Sequence, residues 1–314
     1  MQTAQQIIII AGPTASGKSN LALALAKELN GVIINADSMQ VYKDIPILSA
    51  APTEEEMTHA PHKLYGIYDA SYRGNVVEWL TLCKQEIALA REQNKTPIVI
   101  GGTGLYIEAL INGASPIPET PEEIREKIAQ ILLEKGLDYL YEELTKVDPE
   151  TAARLPAGDT TRIRRAMEVY EHTKKPLSYW HTIPLTSEFA STDFLTVYVA
   201  PPRELLDIRL RTRFDKMMKN GALEEAERLI ARNLPDTLPA MRALGVPELK
   251  AFINGQCQLN TAIEQAKLRT RQYAKRQSTW FNNRFDADFK YNACFDEDKN
   301  FVDDIKKAYK TLAK

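Results

Sequence analysis

Four short runs of apolar residues punctuate the chain, and each gives way to glycine, proline or a polar turn. Residues 7–11 are β-branched nearly throughout and lead into a Gly-rich loop, after which "SNLALALAKEL" is apolar almost all round and rich in Ala and Leu. "VIINADS" follows an Asn30-Gly31 turn, "TPIVIGGTG" gives a run that begins just after Pro97 and ends in Gly101-Gly102, and "FLTVYVAPP" covers roughly residues 194–202. Runs this short, apolar at successive rather than alternate positions, predict strands covered on both faces, and the helical patterns between them predict parallel connections. The expected fold is α/β, a parallel sheet with helices on both faces.

Between about 116 and 189 the strand pattern disappears. Three helix starts follow one another instead: Thr120-Pro121-Glu122-Glu123, with Thr120 as a candidate cap, then Asp148-Pro149-Glu150, then Asp159. This stretch predicts a small all-helical insertion domain, residues 116–189, within a core made of residues 1–115 and 190–314. The second part of that core is again helical, and "FVDDIKKAYKTLAK" places Val302, Ile305, Tyr309 and Leu312 on one face of a closing helix.

Composition changes this picture little. The 314 residues are 44% hydrophobic and 26% charged with a formal net charge of -2, so global charge names no partner and any nucleic-acid signal must be local. Cys83, Cys257 and Cys294 are far apart and form no C-x-x-C pair, which points away from a disulfide framework or a zinc site. "MQTAQQIIIIAG" lacks a basic segment and is too short in apolar residues for a signal peptide or a membrane span. A cytoplasmic monomer without membrane contact is expected.

The chemistry begins at Gly12-Pro13-Thr14-Ala15-Ser16-Gly17-Lys18-Ser19, which fits G-x-x-x-x-G-K-[ST] between a strand and a helix. In that arrangement backbone N–H groups wrap a phosphate at a helix N-terminus, the Lys reaches its oxygens and the Ser hydroxyl faces Mg²⁺. The fold expected is therefore P-loop NTPase-like. Such loops specify a diphosphate-like anion and nothing more. Enzymes that cleave triphosphates usually add a strand ending in a metal-binding Asp, yet "IVI" here ends in Gly101-Gly102-Thr103, and only "VII" leads to a carboxylate, Asp37. Ligands of doubly wound sheets bind beyond the carboxyl ends of the strands, so Asp37 and Thr103 should both project near the loop. The alternatives are a turn or cap role for Asp37 and an N-cap role for Thr103.

Residues 265–285 read "QAKLRTRQYAKRQSTWFNNRF", with six basic residues, no acidic ones and four aromatics, Tyr273, Trp280, Phe281 and Phe285. Cations suit a phosphate backbone and aromatics stack on unpaired bases, so single-stranded or looped RNA is a natural partner. The competing reading is an amphipathic helix with its aromatics in the core.

Eight segments, "GPTASGKS", "INADSMQVYK", "APHKLYGI", "PIVIGGTGLYIEALING", "VDPETAARL", "RIRRAMEVYEHTKKPLS", "MRALGV" and "TRQYAKRQSTWF", occur in the order seen in tRNA dimethylallyltransferases, and the chain resembles that family from about residue 7 to 285. The resemblance implies transfer of a dimethylallyl group from dimethylallyl diphosphate to the exocyclic amine of the adenine just 3′ of the anticodon. It assigns Gly12, Pro13, Thr14, Ala15, Ser16, Gly17, Lys18 and Ser19, with Arg213 beside them and Arg209 as a further candidate, to the diphosphate, and Mg²⁺ to Ser19. Asp37 would take the proton of the adenine amine and Thr103 would serve the leaving diphosphate. The positions similar to the family's contacts with the tRNA anticodon stem-loop are Asp37, Ser38, Met39, Gln40 and Thr103; Arg125 with Thr161, Arg162, Ile163, Arg164 and Arg165; Arg242, Ala243, Leu244, Gly245, Val246 and Pro247; and Lys275, Arg276, Gln277, Ser278, Thr279, Trp280, Phe281 and Asn282.

Two segments depart from the family pattern. "DIPILSAAP" stands where G-x-D-I-G-T-A-K is common, and Gly245-Val246 where Gly-Tyr is usual. A small-molecule kinase in which Asp37 activates a hydroxyl, a prenyltransferase acting on free adenine nucleotides, and a non-catalytic RNA-binding module remain as alternatives.

Overall fold

All four apolar runs form strands in the computed structural model, which describes residues 6–312. In chain order the strands are β1 (Ile7–Ala11), β2 (Gly31–Asn35), β3 (His62–Lys63), β4 (Thr96–Gly101), β5 (Phe194–Val199) and β6 (Phe289–Tyr291). They make one parallel sheet in the order β3-β2-β4-β1-β5-β6. The four expected strands are its interior and are buried at every residue, as continuous apolar runs require. Only the edges β3 and β6 escaped the sequence reading. They are two and three residues long and carry Lys63 and Lys290, so no apolar run announces them.

The sheet lies in a first unit that takes the chain up to Ile111 and again from Phe189. Its leading part carries α1 (Lys18–Leu29), α2 (Pro46–Ser49), α3 (Glu54–His59), α4 (Val76–Glu92) and α5 (Gly104–Asn112). The second unit, Asn112–Glu188, contains α6 (Glu122–Val147), α7 (Pro149–Arg154), α8 (Thr160–Thr173) and α9 (Leu177–Thr182). The returning part of the first unit adds α10 (Arg203–Lys219), α11 (Ala222–Ile230), α12 (Val246–Ile253), α13 (Leu259–Arg284) and α14 (Lys299–Leu312).

The second unit has its own core of Ile128, Leu140, Leu144, Ala152, Ile163 and Ala166. Two of its three expected caps form: Asp148 accepts the Thr151 N–H and Asp159 the Arg162 N–H, both at 3.1 Å. Thr120 does not cap α6; its hydroxyl accepts from Arg165 Nη1 at 2.7 Å, because Pro121 occupies the cap position with no side-chain acceptor. In the first unit, Val302, Ile305 and Tyr309 of α14 face the sheet core together, while the Leu312 side chain lies outside what is described.

The connection between β6 and α14 docks on the Gly-rich loop. Phe295 N–H donates to Ser16 O at 2.9 Å, and a Cβ on Gly17, whose φ is +94°, would lie 1.9 Å from Phe295 O. Only glycine accepts both that backbone conformation and that approach. Gly17→Ala is therefore expected to cost about 2 kcal/mol or more and to lower the thermal midpoint by several degrees, measured by differential scanning calorimetry.

Candidate active site

Three loops meet at the carboxyl edge of the sheet. Residues 12–19 leave β1 and enter α1, so their amides gather at a helix N-terminus. Ser16 Oγ is buried there with no hydrogen-bond partner among the described residues, a donor placed for an anion. Lys18 Nζ folds back onto Pro13 O at 2.6 Å. Burial lowers its ammonium to about 7, with Asp37 pulling it up and Arg213 pushing it further down. Arg213 of α10 bonds the Thr14 hydroxyl, and burial lowers it to about 10 against the favourable field of Asp37. Desolvated cations of this kind regain their preferred state when a polyanion arrives.

The second and third loops follow β2 and β4, which are neighbours in the sheet, and their backbones are stitched together. Ala36 N–H donates to Ile100 O (2.7 Å) and Thr103 N–H to Ala36 O (3.4 Å). Asn35 builds the turn that presents Asp37: its Oδ1 accepts the Asp37 N–H (2.8 Å) and its Nδ2 donates to Asp37 O and Leu64 O (3.0 Å each). Asn35 is itself anchored by Trp79 Nε1, which donates to its carbonyl at 2.8 Å. Asp37 Oδ1 accepts the Met39 N–H (2.9 Å), while Oδ2 has no hydrogen bond among the described residues. The turn reading and the site reading of Asp37 thus share one carboxylate.

Thr103 stands at the start of α5, its carbonyl accepting the Tyr106 and Ile107 N–H groups (3.0 and 3.3 Å), but its side chain serves the site: Oγ1 accepts the Ser38 N–H (3.0 Å) and donates to Ser38 Oγ (3.3 Å), and Tyr273 of α13 lies beside it. Burial first, then the nearby Asp37, holds the Tyr273 hydroxyl above its ordinary range, so it stays protonated. These loops open into a cavity of about 690 Å³ lined by residues 14–20, Asp37, Gln40, Tyr65 and residues 100–102, with Arg209, Thr212, Arg213 and Lys216 from α10. Arg209 pairs with Asp296, which also lines it.

The segment 44–52 that departs from the family pattern forms a cavity wall. Its α2 takes two backbone hydrogen bonds from the buried carboxylate of Glu225, which accepts the Ile47 and Leu48 N–H groups at 2.8 Å each. Gln40 Nε2 donates to Ser49 O (3.1 Å) and Ala50 O (2.7 Å), and residues 49–51 face the cavity.

Several expected RNA contacts have side chains that face inward. Ile163 belongs to the core of the second unit; Ala243, Gly245 and Val246 are buried around the start of α12; Phe281 is enclosed with Tyr198 and Phe285. Helical periodicity puts Phe281 on the inner face of α13, so for this ring the amphipathic-helix reading holds. Gln277 is also buried and bonds to protein backbone rather than facing solvent. Exposed on the other side are Lys275, Arg276, Thr279 and Asn282, and among the described residues Lys275 and Arg276 have no carboxylate partner. Arg242 is exposed and donates to Asp236 O at 3.1 Å, with Leu244 and Pro247 half-buried nearby in sequence. In the second unit Thr161 and Arg162 are exposed, while Arg125, Arg164 and Arg165 surround one buried carboxylate, Glu168, at 3.9, 3.0 and 4.0 Å. Arg125 also pairs with Glu122 at 3.7 Å, so the cluster holds three guanidinium groups against two carboxylates.

The sequence reading missed Tyr65, Lys216 and Tyr273 as site residues. Lys216 could have been found, since Arg209, Arg213 and Lys216 share one helical face.

A phosphate loop served by easily discharged cations, with a carboxylate and a hydroxyl from adjacent strand ends in place of an acid beyond β4, defines a P-loop protein suited to transferring a group away from a diphosphate. The chain belongs to the IPP transferase family, whose model matches residues 40–284; a second, described as isopentenyl transferase, matches residues 5–72. It is 44% identical over 287 residues to the tRNA dimethylallyltransferase of Rhodospirillum centenum, covering 91% of each chain. It is 45% identical to that of Azorhizobium caulinodans, covering 88% of this chain and 89% of the other. Among solved structures it is similar to a eukaryotic dimethylallyltransferase acting on tRNA (TM-score 0.74, 33% identity, 88% of this chain and 70% of that one). The tRNA isopentenylpyrophosphate transferase of Bacillus halodurans also matches (TM-score 0.67, 31% identity, 98% and 96%).

Lys18 sets a pH dependence. Its charge is present below about 7 and is lost above it, so affinity for an anion falls as pH rises. Calorimetric titration with Mg²⁺ and inorganic diphosphate from pH 6 to 8.5 should show the contribution of Lys18 fading against the extra negative charge that diphosphate gains on deprotonation, so that Lys18→Arg binds progressively more tightly than the unaltered protein as pH rises.

Proposed function

We infer that the protein transfers a dimethylallyl group from dimethylallyl diphosphate to the exocyclic amine of the adenine 3′-adjacent to the anticodon of tRNA, releasing diphosphate. Family membership across the whole catalytic core carries this reading. The kinase alternative loses its footing, because β4 ends without an acid and the relatives are prenyltransferases.

In the reaction a C–N bond forms as the allylic C–O bond breaks. An adenine amine is a weak nucleophile, its lone pair delocalised into the ring, and the free Oδ2 of Asp37 is placed to accept its proton as the bond forms. Negative charge grows on the departing diphosphate, where the loop amides, Lys18 and Arg213 line the cavity; the Thr103 hydroxyl, which donates to Ser38 Oγ in the free protein, would turn to it. Mg²⁺ fits this site: the Ser19 hydroxyl is exposed, lines the cavity and makes no hydrogen bond among the described residues. Mg²⁺ characteristically takes one or two protein oxygens with substrate phosphates. Bound there, it would neutralise diphosphate charge. The target base lies in an anticodon loop, so withdrawing it costs only a few kcal/mol of stacking. Lys275 and Arg276 on α13 and the arginines around Glu168 offer cations to the RNA backbone, and such a substrate puts the protein in the cytoplasm.

Incubation with labelled dimethylallyl diphosphate, Mg²⁺ and total tRNA, followed by nucleoside analysis, should place the label on adenosine; label on free nucleotides, or none, would sink the reading. Asp37→Ala is expected to lower kcat about 10²–10⁴-fold with tRNA binding nearly intact, measured by single-turnover assay and filter binding. Lys275→Ala and Arg276→Ala should each weaken tRNA binding and reduce the log–log salt slope by roughly 0.7–0.9.

A further inference from the structure

The face of α13 turned away from solvent meets the segment after β4 residue by residue. Tyr273 lies beside the Thr103 and Gln277 side chains. Gln277, one turn on, sends its Nε2 to Gly102 O (2.8 Å), while its Oε1 accepts the Thr14 N–H of the phosphate loop (2.9 Å). Trp280 completes the row against Gly104. The fit leaves no slack: a Cβ on Gly102 would lie 2.3 Å from Gln277 Nε2, and one on Gly104 would lie 2.4 Å from the Trp280 ring. Positions 273, 277 and 280 follow helical spacing, so one stripe of α13, buried at Gln277 and half-buried at Tyr273 and Trp280, meets 103, 102 and 104 in turn.

Gln277 is the unusual member. It is 5% exposed, and both ends of its amide are matched to backbone groups that belong to different loops of the site. A primary amide suits this task because it offers an acceptor and a donor about 2 Å apart in one rigid plane. Leaving either partner unmatched in that buried setting would cost a hydrogen bond and loosen the spacing between loops.

We propose that Gln277 is a positioning residue for the transfer reaction: its side-chain amide locks the phosphate loop at Thr14 to the strand end that carries Thr103, and so sets the register of the diphosphate against the hydroxyl that receives its charge. The inference rests on the prenyl-transfer reading for its substrate, but not for its geometry. It removes Gln277 from the RNA-contacting set and gives α13 two jobs on opposite faces, with Lys275 and Arg276 outward and Gln277 inward. Positional errors of this kind fall on turnover more than on binding of the other substrate.

Gln277→Met keeps the length of the side chain and removes both hydrogen bonds, whereas Gln277→Glu keeps the acceptor for Thr14 N–H and loses the donor to Gly102 O. With saturating tRNA and dimethylallyl diphosphate, Gln277→Met should lower kcat at least tenfold and raise the KM for the prenyl diphosphate several-fold, with the KM for an anticodon stem-loop unchanged within twofold. Gln277→Glu should recover part of the prenyl-diphosphate KM and little of kcat. Unchanged kinetics, or a raised stem-loop KM at normal kcat, would overturn the proposal. A thermal melt of each variant screens for unfolding. Calorimetry with Mg²⁺ and inorganic diphosphate needs no RNA and no transfer: weaker binding by a folded Gln277→Met supports the lock even where the wild-type protein prenylates no tRNA, and equal binding refutes it.

Discussion

Burial of β1, β2, β4 and β5 on both faces is the constraint from which the site follows. Strands buried along their whole length can present chemistry to a ligand only beyond their ends, and a parallel arrangement sends those ends the same way. Thr14, Asp37 and Thr103 are far apart in sequence but leave β1, β2 and β4, three strands in direct succession across the sheet. The cross-links between Ala36, Ile100 and Thr103 then turn neighbouring strand ends into one rigid edge.

On that edge the electrostatics are arranged around something absent from the protein itself. Burial holds Lys18 and Arg213 below their usual ranges, and the nearby Asp37 favours the charge on both. An arrangement strained in this way gains most from a ligand that brings several negative charges at once. The cluster around Glu168 in the second unit carries one guanidinium more than its carboxylates, a surplus suited to one phosphate.

How much of this could be read from residues alone differs from feature to feature. The interior strands, the loop, Asp37 and Thr103 were legible, because a continuous apolar run and a glycine-rich turn are local signals. The edge strands β3 and β6 were not, since a strand of two or three residues with a lysine carries no pattern. The basic stretch at 265–285 was legible as a helix with a charged side but misleading about Gln277 and Phe281. Composition averages over a helix, whereas the structure assigns alternate faces, and only the 273, 277, 280 spacing distinguishes them. Tyr65 reaches the cavity by tertiary packing, which no local pattern encodes.

The bond from Phe295 N–H to Ser16 O has a consequence in time. The phosphate loop and the backbone that closes over Gly17 lie almost the whole length of the sequence apart. Contacts between such distant partners form slowly and late in folding. The loop motif by itself is therefore not yet an anion site, and the site is finished only when the segment around Phe295 has folded onto it.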